Sequence, residues 1–215
     1  MQTAMLLFPG FTALDAFGPY HALAHIPGYE FAFVAEHAGP VTDGGKITIV
    51  AQLGIEDLDQ VDLLVVPGGI PAITMARTGH RLIEWIRAIH PTTQWTASVC
   101  TGALMLGAAG VLDGLPATTH WYCHDELGNY GAIPTDRRVV EAGKVMTAAG
   151  VSAGIDMALM LTERLAGTAY AQATQLDMEY DPQPPFDAGH PRSAPTEVTQ
   201  WLSGMYDSML RPSGP

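Results

Sequence analysis

The chain has 215 residues, enough for one large domain around a well-buried core, and 47% of them are apolar, which excludes a disordered class. Its formal net charge is −12, with 10 Lys and Arg against 22 Asp and Glu; so acidic a surface repels nucleic acid and anionic membranes and suits an enzyme or binding protein acting on a small, uncharged molecule. No apolar stretch reaches the roughly 18 residues of a membrane span, and MQTAMLLFPGF at the start has no basic leader segment, so no signal peptide and no membrane partner are expected.

In chain order, AMLLF at 4–8 predicts a strand, and PGFTALDAFGPYHAL behind it opens into a helix. YEFAFVAE at 29–36 alternates as a strand, and GKITIVA at 45–51 predicts another. VDLLVVPGG at 61–69 is a continuous apolar run closed by a glycine pair, the pattern of a strand buried on both faces. RLIEWIRAI at 81–89 has helical spacing, with Leu82, Ile83, Ile86 and Ile89 on one face as candidate core. QWTASVC at 94–100 is a short buried strand, and Thr101 through Ala109 is a helix. RRVVEAGKVMTAAG at 137–150 reads as a hairpin turning at Ala142-Gly143, and VSAGIDMALMLTERLAG at 151–167 as a long helix opened by Ser152. DPQPPFDAGHPRSAP at 181–195 is a Pro-rich surface arm leading to a last helix at 197–210.

Strands separated by helical stretches imply crossover units and an α/β fold, a mostly parallel central sheet flanked by helices on both faces. No repeat or linker divides the chain, so residues 1–215 are expected to be a single domain. In such sheets the sites gather at the carboxyl ends of the strands. Four segments should end there: FPG at 8–10, VPGG at 66–69, SVCTG at 98–102 and TAAGVSAG at 147–154.

Cys100 sits on the bend between its strand and its helix, the geometry of a nucleophile elbow. A helix beginning just after it would aim free N–H groups and a positive dipole end at the sulfur, lowering the thiol pKa. The Gly69 and Thr101 N–H groups could form a two-donor anion hole beside that sulfur. On local sequence alone, though, a lone free cysteine is most often a small buried hydrophobe, and Asp15, ahead of AFGPYHAL, reads as a helix N-cap. Cys123, with no helix start or base nearby, reads as structural, and two cysteines make no disulfide framework, which suits a reducing, cytoplasmic setting. His120 and His124 would share a helical face, but no third metal ligand is evident, so no metal is expected.

VPGG, SVCTGALMLGAAGVLDG, ATTHW and GVSAGIDMAL resemble the PfpI/DJ-type superfamily, which shares its flavodoxin-like sandwich with class I glutamine amidotransferases. FPGFTALDAFGPYHAL, ATTHWYCHDELGNYGAIP and LDMEYDPQPPFDAGHPRSAP are similar to its isonitrile hydratase branch, over about residues 4–208.

The resemblance implies that Cys100 is the nucleophile, that Asp15, in the LD..GP motif, is an essential acid, and that Thr101 takes part. It implies a homodimer and a reaction that needs no metal or redox cofactor. Its substrates would be water and an uncharged isonitrile, hydrated to an N-substituted formamide. Desolvation beside a thiolate should raise the pKa of Asp15, so that it holds a proton at neutral pH and serves as general acid, then as base for water. Other members of the superfamily place a histidine near the thiol at the spacing of His120, which either orients the site or is a core histidine bonded to backbone. Gly150 and Ile155 would bring backbone groups against the pocket, with Asp156 a structural partner. Phe8, Phe17 and Trp121 read either as pocket lining or as core. A glyoxalase-like hydratase of the same superfamily is one alternative, although those members pair the cysteine with a glutamate. A ligand- or redox-sensing domain related to AraC-type regulators is another, with direct DNA binding opposed by the acidic charge.

Overall fold

The structure is a computed structural model, and it describes residues 1–210. Two compact units divide the chain, Met1–Met178 and a second beginning at Glu179.

In the first unit the elements are β1 (Gln2–Leu6), α1 (Ala13–Leu23), β2 (Glu30–Ala35), β3 (Gly39–Thr42), β4 (Thr48–Ala51), β5 (Leu53–Gly54), β6 (Leu63–Val66), α2 (Ile70–Thr78), α3 (Arg81–Ile89), β7 (Trp95–Val99), α4 (Gly102–Ala108), β8 (Pro116–Ala117), β9 (Ile133–Pro134), β10 (Val139–Ala142), β11 (Val145–Ala148), α5 (Ala153–Ala166) and α6 (Thr168–Asp177). A 3₁₀ segment covers Trp121–Tyr130. The second unit holds the Pro-rich stretch, which has no strand or helix, and α7 (Thr196–Leu210). No helix among the described residues is long and apolar enough to cross a membrane.

Seven strands form one sheet in the order β10-β11-β7-β6-β1-β2-β5. All neighbours are parallel except the β10–β11 hairpin. Each of the four residues of β6 is fully buried, as its unbroken apolar run requires of a central strand with helices over both faces. Helix α5 packs against both α1 and α6, and α2, α3 and α4 form a second group. The face predicted for α3 is inside: Leu82, Ile83, Ile86 and Ile89 are all buried.

β1 lies between β2 and β6, so the chain leaves β1 first to one side and later to the other. That reversal opens a crevice at the carboxyl ends of β1 and β6, where the loops diverge. The FPG and VPGG segments end there, and β7, carrying Cys100, is next to β6.

One local expectation needs correction, and two helices went unread in the sequence. Residues 45–51 do not join the main sheet; only Thr48–Ala51 is extended, paired antiparallel with Gly39–Thr42 in a separate hairpin whose Ile47 and Val50 stay exposed. α2 was hidden by Pro71, which a helix tolerates in its first turn. α6 is distinct from α5 because Gly167 adopts a φ of 88, a left-handed conformation that ends one helix before the next begins.

Candidate active site

The elbow is present. β7 ends at Val99, Cys100 takes a φ of 56, and α4 starts at Gly102. Positive φ costs a non-glycine residue energy, and the surroundings must hold it there. The Cys100 N–H donates to the Ala148 and Ala149 carbonyls at 3.1 and 2.9 Å. The Cys100 carbonyl accepts from Thr119 Oγ1 at 2.7 Å. Gly102 permits the sharp start of α4, because a Cβ there would fall 2.2 Å from the Val66 carbonyl oxygen. The glycine of C-T-G is therefore a steric requirement of the bend. Thr119→Val removes the hydroxyl that holds the Cys100 carbonyl, and we expect a loss of about 1–3 kcal/mol in stability together with a lower kcat, measured by denaturant unfolding and turnover.

Asp15 lies in the first turn of α1 and is fully buried. It is not the N-cap, which is Thr12. Its Oδ2 accepts from the Gly68 N–H at 2.9 Å, Oδ1 accepts no hydrogen bond of ordinary geometry, and the Cys100 thiol is close enough to interact with the carboxyl. Burial raises the Asp15 pKa to about 7, against the Gly68 N–H and the thiol, which favour the carboxylate. The expected upward shift is thus present, and desolvation is its cause.

For Cys100 the expected shift is reversed. The sulfur is met by the N–H groups of Thr101 and Val151, but burial pushes the thiol well above its ordinary value and the Asp15 carboxylate adds to the push. A start of only 7 helical residues in α4 cannot offset that desolvation. The resting pair is therefore a thiol beside a carboxyl that is half ionised near neutrality, and its titration belongs to both groups.

Gly69 does not play the part expected of it. Its N–H donates to Thr101 Oγ1 at 2.9 Å, and that hydroxyl donates back to the Gly69 carbonyl at 2.9 Å. Thr101 thus contributes twice: its N–H faces the sulfur, and its buried side chain clamps the elbow to the 66–69 segment. The donor from VPGG that reaches the buried carboxyl is Gly68, on Asp15.

His120 caps the 3₁₀ segment, with Nδ1 accepting from the Tyr122 N–H at 3.4 Å, and burial pushes its pKa down to about 4. It is neutral at neutral pH, and its ring lies against Gly150, where a Cβ would fall 3.2 Å from Cδ2. Gly150 thus gives the imidazole room rather than presenting a donor to the sulfur; the donor is Val151, one residue on. Ile155 packs its side chain against Gly18 on α1, where a Cβ would fall 3.0 Å from Cγ1. Asp156 pairs with Arg138 at 2.6 Å. Cys123 is buried, and its thiol is pushed up to about 12. Phe8 is core at 1% exposure, while Phe17 and Trp121 are half-buried.

Gly68, Thr119 and Val151 were not singled out in the sequence. Gly68 lies within VPGG, Thr119 within ATTHW and Val151 within GVSAGIDMAL, but no local pattern sets any of the three apart from its motif neighbours. An open depression of about 660 Å³, lined by Ala76, Arg77, Asp125, Glu126, Asn129 and Tyr130, includes none of the residues that meet at Cys100. Among the described residues no group of three His, Cys, Asp or Glu side chains is placed to hold a metal ion.

Residues 1–164 match the model of the DJ-1/PfpI family. The chain is 41% identical over 198 residues to the isonitrile hydratase of Pseudomonas putida, covering 92% of this chain and 86% of that one. It is also 28% identical over 176 residues to the HTH-type transcriptional regulator CdhR of Pseudomonas aeruginosa, of which it spans 51%. Among solved structures, a THiJ/PfpI family protein from Pseudomonas syringae superposes with a TM-score of 0.89 at 36% identity, over 96% of this chain and 86% of that one. With the mostly parallel sheet, the elbow and these matches in agreement, the chain belongs to the DJ-1/PfpI family.

Proposed function

We propose that the protein is an isonitrile hydratase that works with Cys100 and Asp15 and needs no cofactor. The observation that carries this reading is the buried contact of the Cys100 thiol with an Asp15 carboxyl whose pKa is raised to about 7. The 41% identity to an isonitrile hydratase supplies the substrate class.

The terminal carbon of an isonitrile becomes open to thiolate attack once it receives a proton. Asp15 takes the proton of the Cys100 thiol and passes it to that carbon as sulfur adds. A C–S bond and a C–H bond form, giving a thioimidate on Cys100 and leaving Asp15 ionised. Water then adds to the thioimidate carbon; Asp15 accepts the water proton and returns it to the nitrogen. The C–S bond breaks, the hydroxyl proton returns to sulfur, and an N-substituted formamide leaves. The balance is isonitrile plus water to formamide, with no electron left over and no need of a metal or redox partner. Neutral His120, given room by Gly150, and the Thr101 clamp shape the site without adding charge to it, as an uncharged substrate requires.

The same proposal includes a single functional domain over 1–215, a homodimer and a cytoplasmic setting with no nucleic-acid or membrane partner. Residues 211–215 lie outside the described residues. Two free cysteines suit a reducing compartment. Val198, Trp201 and Met209 leave large apolar side chains exposed on α7, a feature that favours association. Sedimentation equilibrium should return twice the chain mass of 22.9 kDa.

The deciding experiment is product analysis with cyclohexyl isocyanide, the wild type beside a folded Cys100→Ala variant. N-cyclohexylformamide from the wild type alone is expected. Equal formamide from both proteins would reject the nucleophile. None from either would turn the assignment toward a glyoxalase-like hydratase, tested by lactate formation from methylglyoxal, or toward a sensing domain.

A further inference from the structure

We infer that Pro19 is a positioning residue for Asp15: it is the joint in α1 that lets the first turn dock on the 66–69 segment beside Cys100 while the rest of the helix stays locked to α5. The inference rests on the acid–base role given to Asp15 above, and it assigns a part to the Gly-Pro of the LD..GP motif, which that reading leaves unused.

Two sets of contacts hold α1. Its first turn is tied to Gly68 in both directions. The Thr12 N–H donates to the Gly68 carbonyl at 2.8 Å, and the Gly68 N–H donates to Asp15 Oδ2 at 2.9 Å. The Asp15 N–H donates to the Thr12 carbonyl at 3.0 Å, which closes the turn. The middle of the helix is tied to α5 instead. Gly18 and Pro19 are buried on the face that carries Asp15 and Ala22, at helical spacing. A Cβ on Gly18 would fall 3.0 Å from Ile155 Cγ1, and one on Gly154 would fall 3.3 Å from Pro19 Cγ. Each helix offers a glycine to a side chain of the other, so the two interlock without slack.

A continuous helix would make one anchor dictate the other, because each bond from an N–H to the carbonyl four residues back ties a turn to the one before it. The bond that would tie the locked middle of α1 to the carbonyl of Asp15 is the one from residue 19, and proline has no N–H to make it. A proline ring in a helix also crowds the carbonyl four residues back, which here is that of Asp15. Glycine and proline are the residues a helix interior tolerates least, yet α1 places them side by side, one turn from the carboxyl. The first turn is thereby released to follow Gly68. The Gly68 N–H and the Cys100 thiol are the groups that act on the Asp15 carboxyl, and both contacts depend on where that turn sits. Pro19 acts through the backbone of Asp15 rather than on a reacting atom.

Pro19→Ala supplies the missing N–H and tests the joint. With the ladder continuous, the first turn should be drawn toward the helix axis and away from Gly68. The readout is the Gly68 amide proton by NMR. In the wild type it should follow the titration of the carboxyl to which it donates, near pH 7. In Pro19→Ala that response should collapse, and kcat should fall about 100-fold with KM nearly unchanged, the loss expected for a displacement of about 1 Å. A Tm that changes while the Gly68 response and kcat stay intact would make Pro19 merely structural and overturn the inference. Should Pro19→Ala not fold, Gly18→Ala decides. Its methyl meets Ile155 Cγ1 and pushes α1 off α5. The joint keeps that push from the first turn, so Tm should fall while the Gly68 response persists. A response lost along with Tm would mean that α1 moves as one body, and the joint would be rejected. The amide readout uses no isonitrile, so a wild type that makes no formamide while its Gly68 proton behaves as stated would reject the substrate and leave the joint standing.

Discussion

Asp15→Asn is expected to cut formamide formation by about 100- to 10,000-fold, the usual range for losing a general acid–base group, while making the protein more stable above pH 7. Asparagine fits the site. Its oxygen can accept from the Gly68 N–H as Oδ2 does, and its amide can face the sulfur. The sign of the stability effect follows from the direction of the shift. The folded pKa is about 7 and the unfolded reference is 3.8. Below 3.8 both states are protonated, and the wild type and the variant should be equally stable in this respect. Between the two values the unfolded chain binds fewer protons than the folded one, so wild-type stability falls as pH rises. Above about 7 both states are ionised and the loss is complete. At 1.36 kcal/mol per unit this amounts to a few kcal/mol at most. The difference in Tm between the variant and the wild type should be near zero at the acid end, grow through the window and level off above it. A variant that melts below the wild type at pH 8 would mean that the ionised carboxyl is a net stabiliser. The wild-type kcat/KM should rise through pH 7, because the competent Cys100–Asp15 pair holds one proton rather than two.

Gly68→Ala should lose activity and stability together. A methyl at this position would fall 2.6 Å from the Thr101 nitrogen, 2.7 Å from Thr101 Oγ1 and 2.8 Å from Asp15 Oδ2. None of these is the far end of a flexible chain. The backbone must move, and it carries with it the N–H that holds Asp15 and the clamp that holds the elbow. Overpacking of this kind costs about 1–3 kcal/mol, and a displacement of about 1 Å between reacting groups can cost about 100-fold in rate. Gly128→Ala is the matched control, since a Cβ there meets nothing within 4 Å; it should stay within about 0.5 kcal/mol of the wild type. Equal behaviour of the two variants in urea unfolding and turnover would show that the close approach at Gly68 is not needed.

Asp15→Asn separates function from stability and Gly68→Ala does not. The difference lies in what each residue contributes. Asp15 holds a titrating group that the fold tolerates at a cost. Gly68 contributes the lack of a side chain where three segments converge.

The sequence by itself determined whatever local rules govern. The unbroken run of β6, the buried stripe of α3 and the strand-to-helix bend at Cys100 were legible because periodicity and a short apolar run are properties of adjacent residues. The four segments ending at one edge of the sheet were legible from the alternation of strands and helices. The roles of Cys100 and Asp15 came from a resemblance, because a lone cysteine and a carboxyl before a helix have commoner local explanations. Tertiary structure decided the rest. The Cys100 thiol pKa goes up rather than down because burial sums over every element packed around the sulfur, while the helix start that would lower it is one local term. Gly69 lost its expected part to a Thr101 hydroxyl far away in sequence, and it is the neighbouring Gly68 N–H that reaches Asp15, because which peptide N–H faces which group depends on backbone dihedrals. Val151 takes a φ of 21 that no propensity favours, at a position packed close to the elbow. Local pattern marked the bend; long-range packing set what surrounds the sulfur and the direction in which its acidity moves.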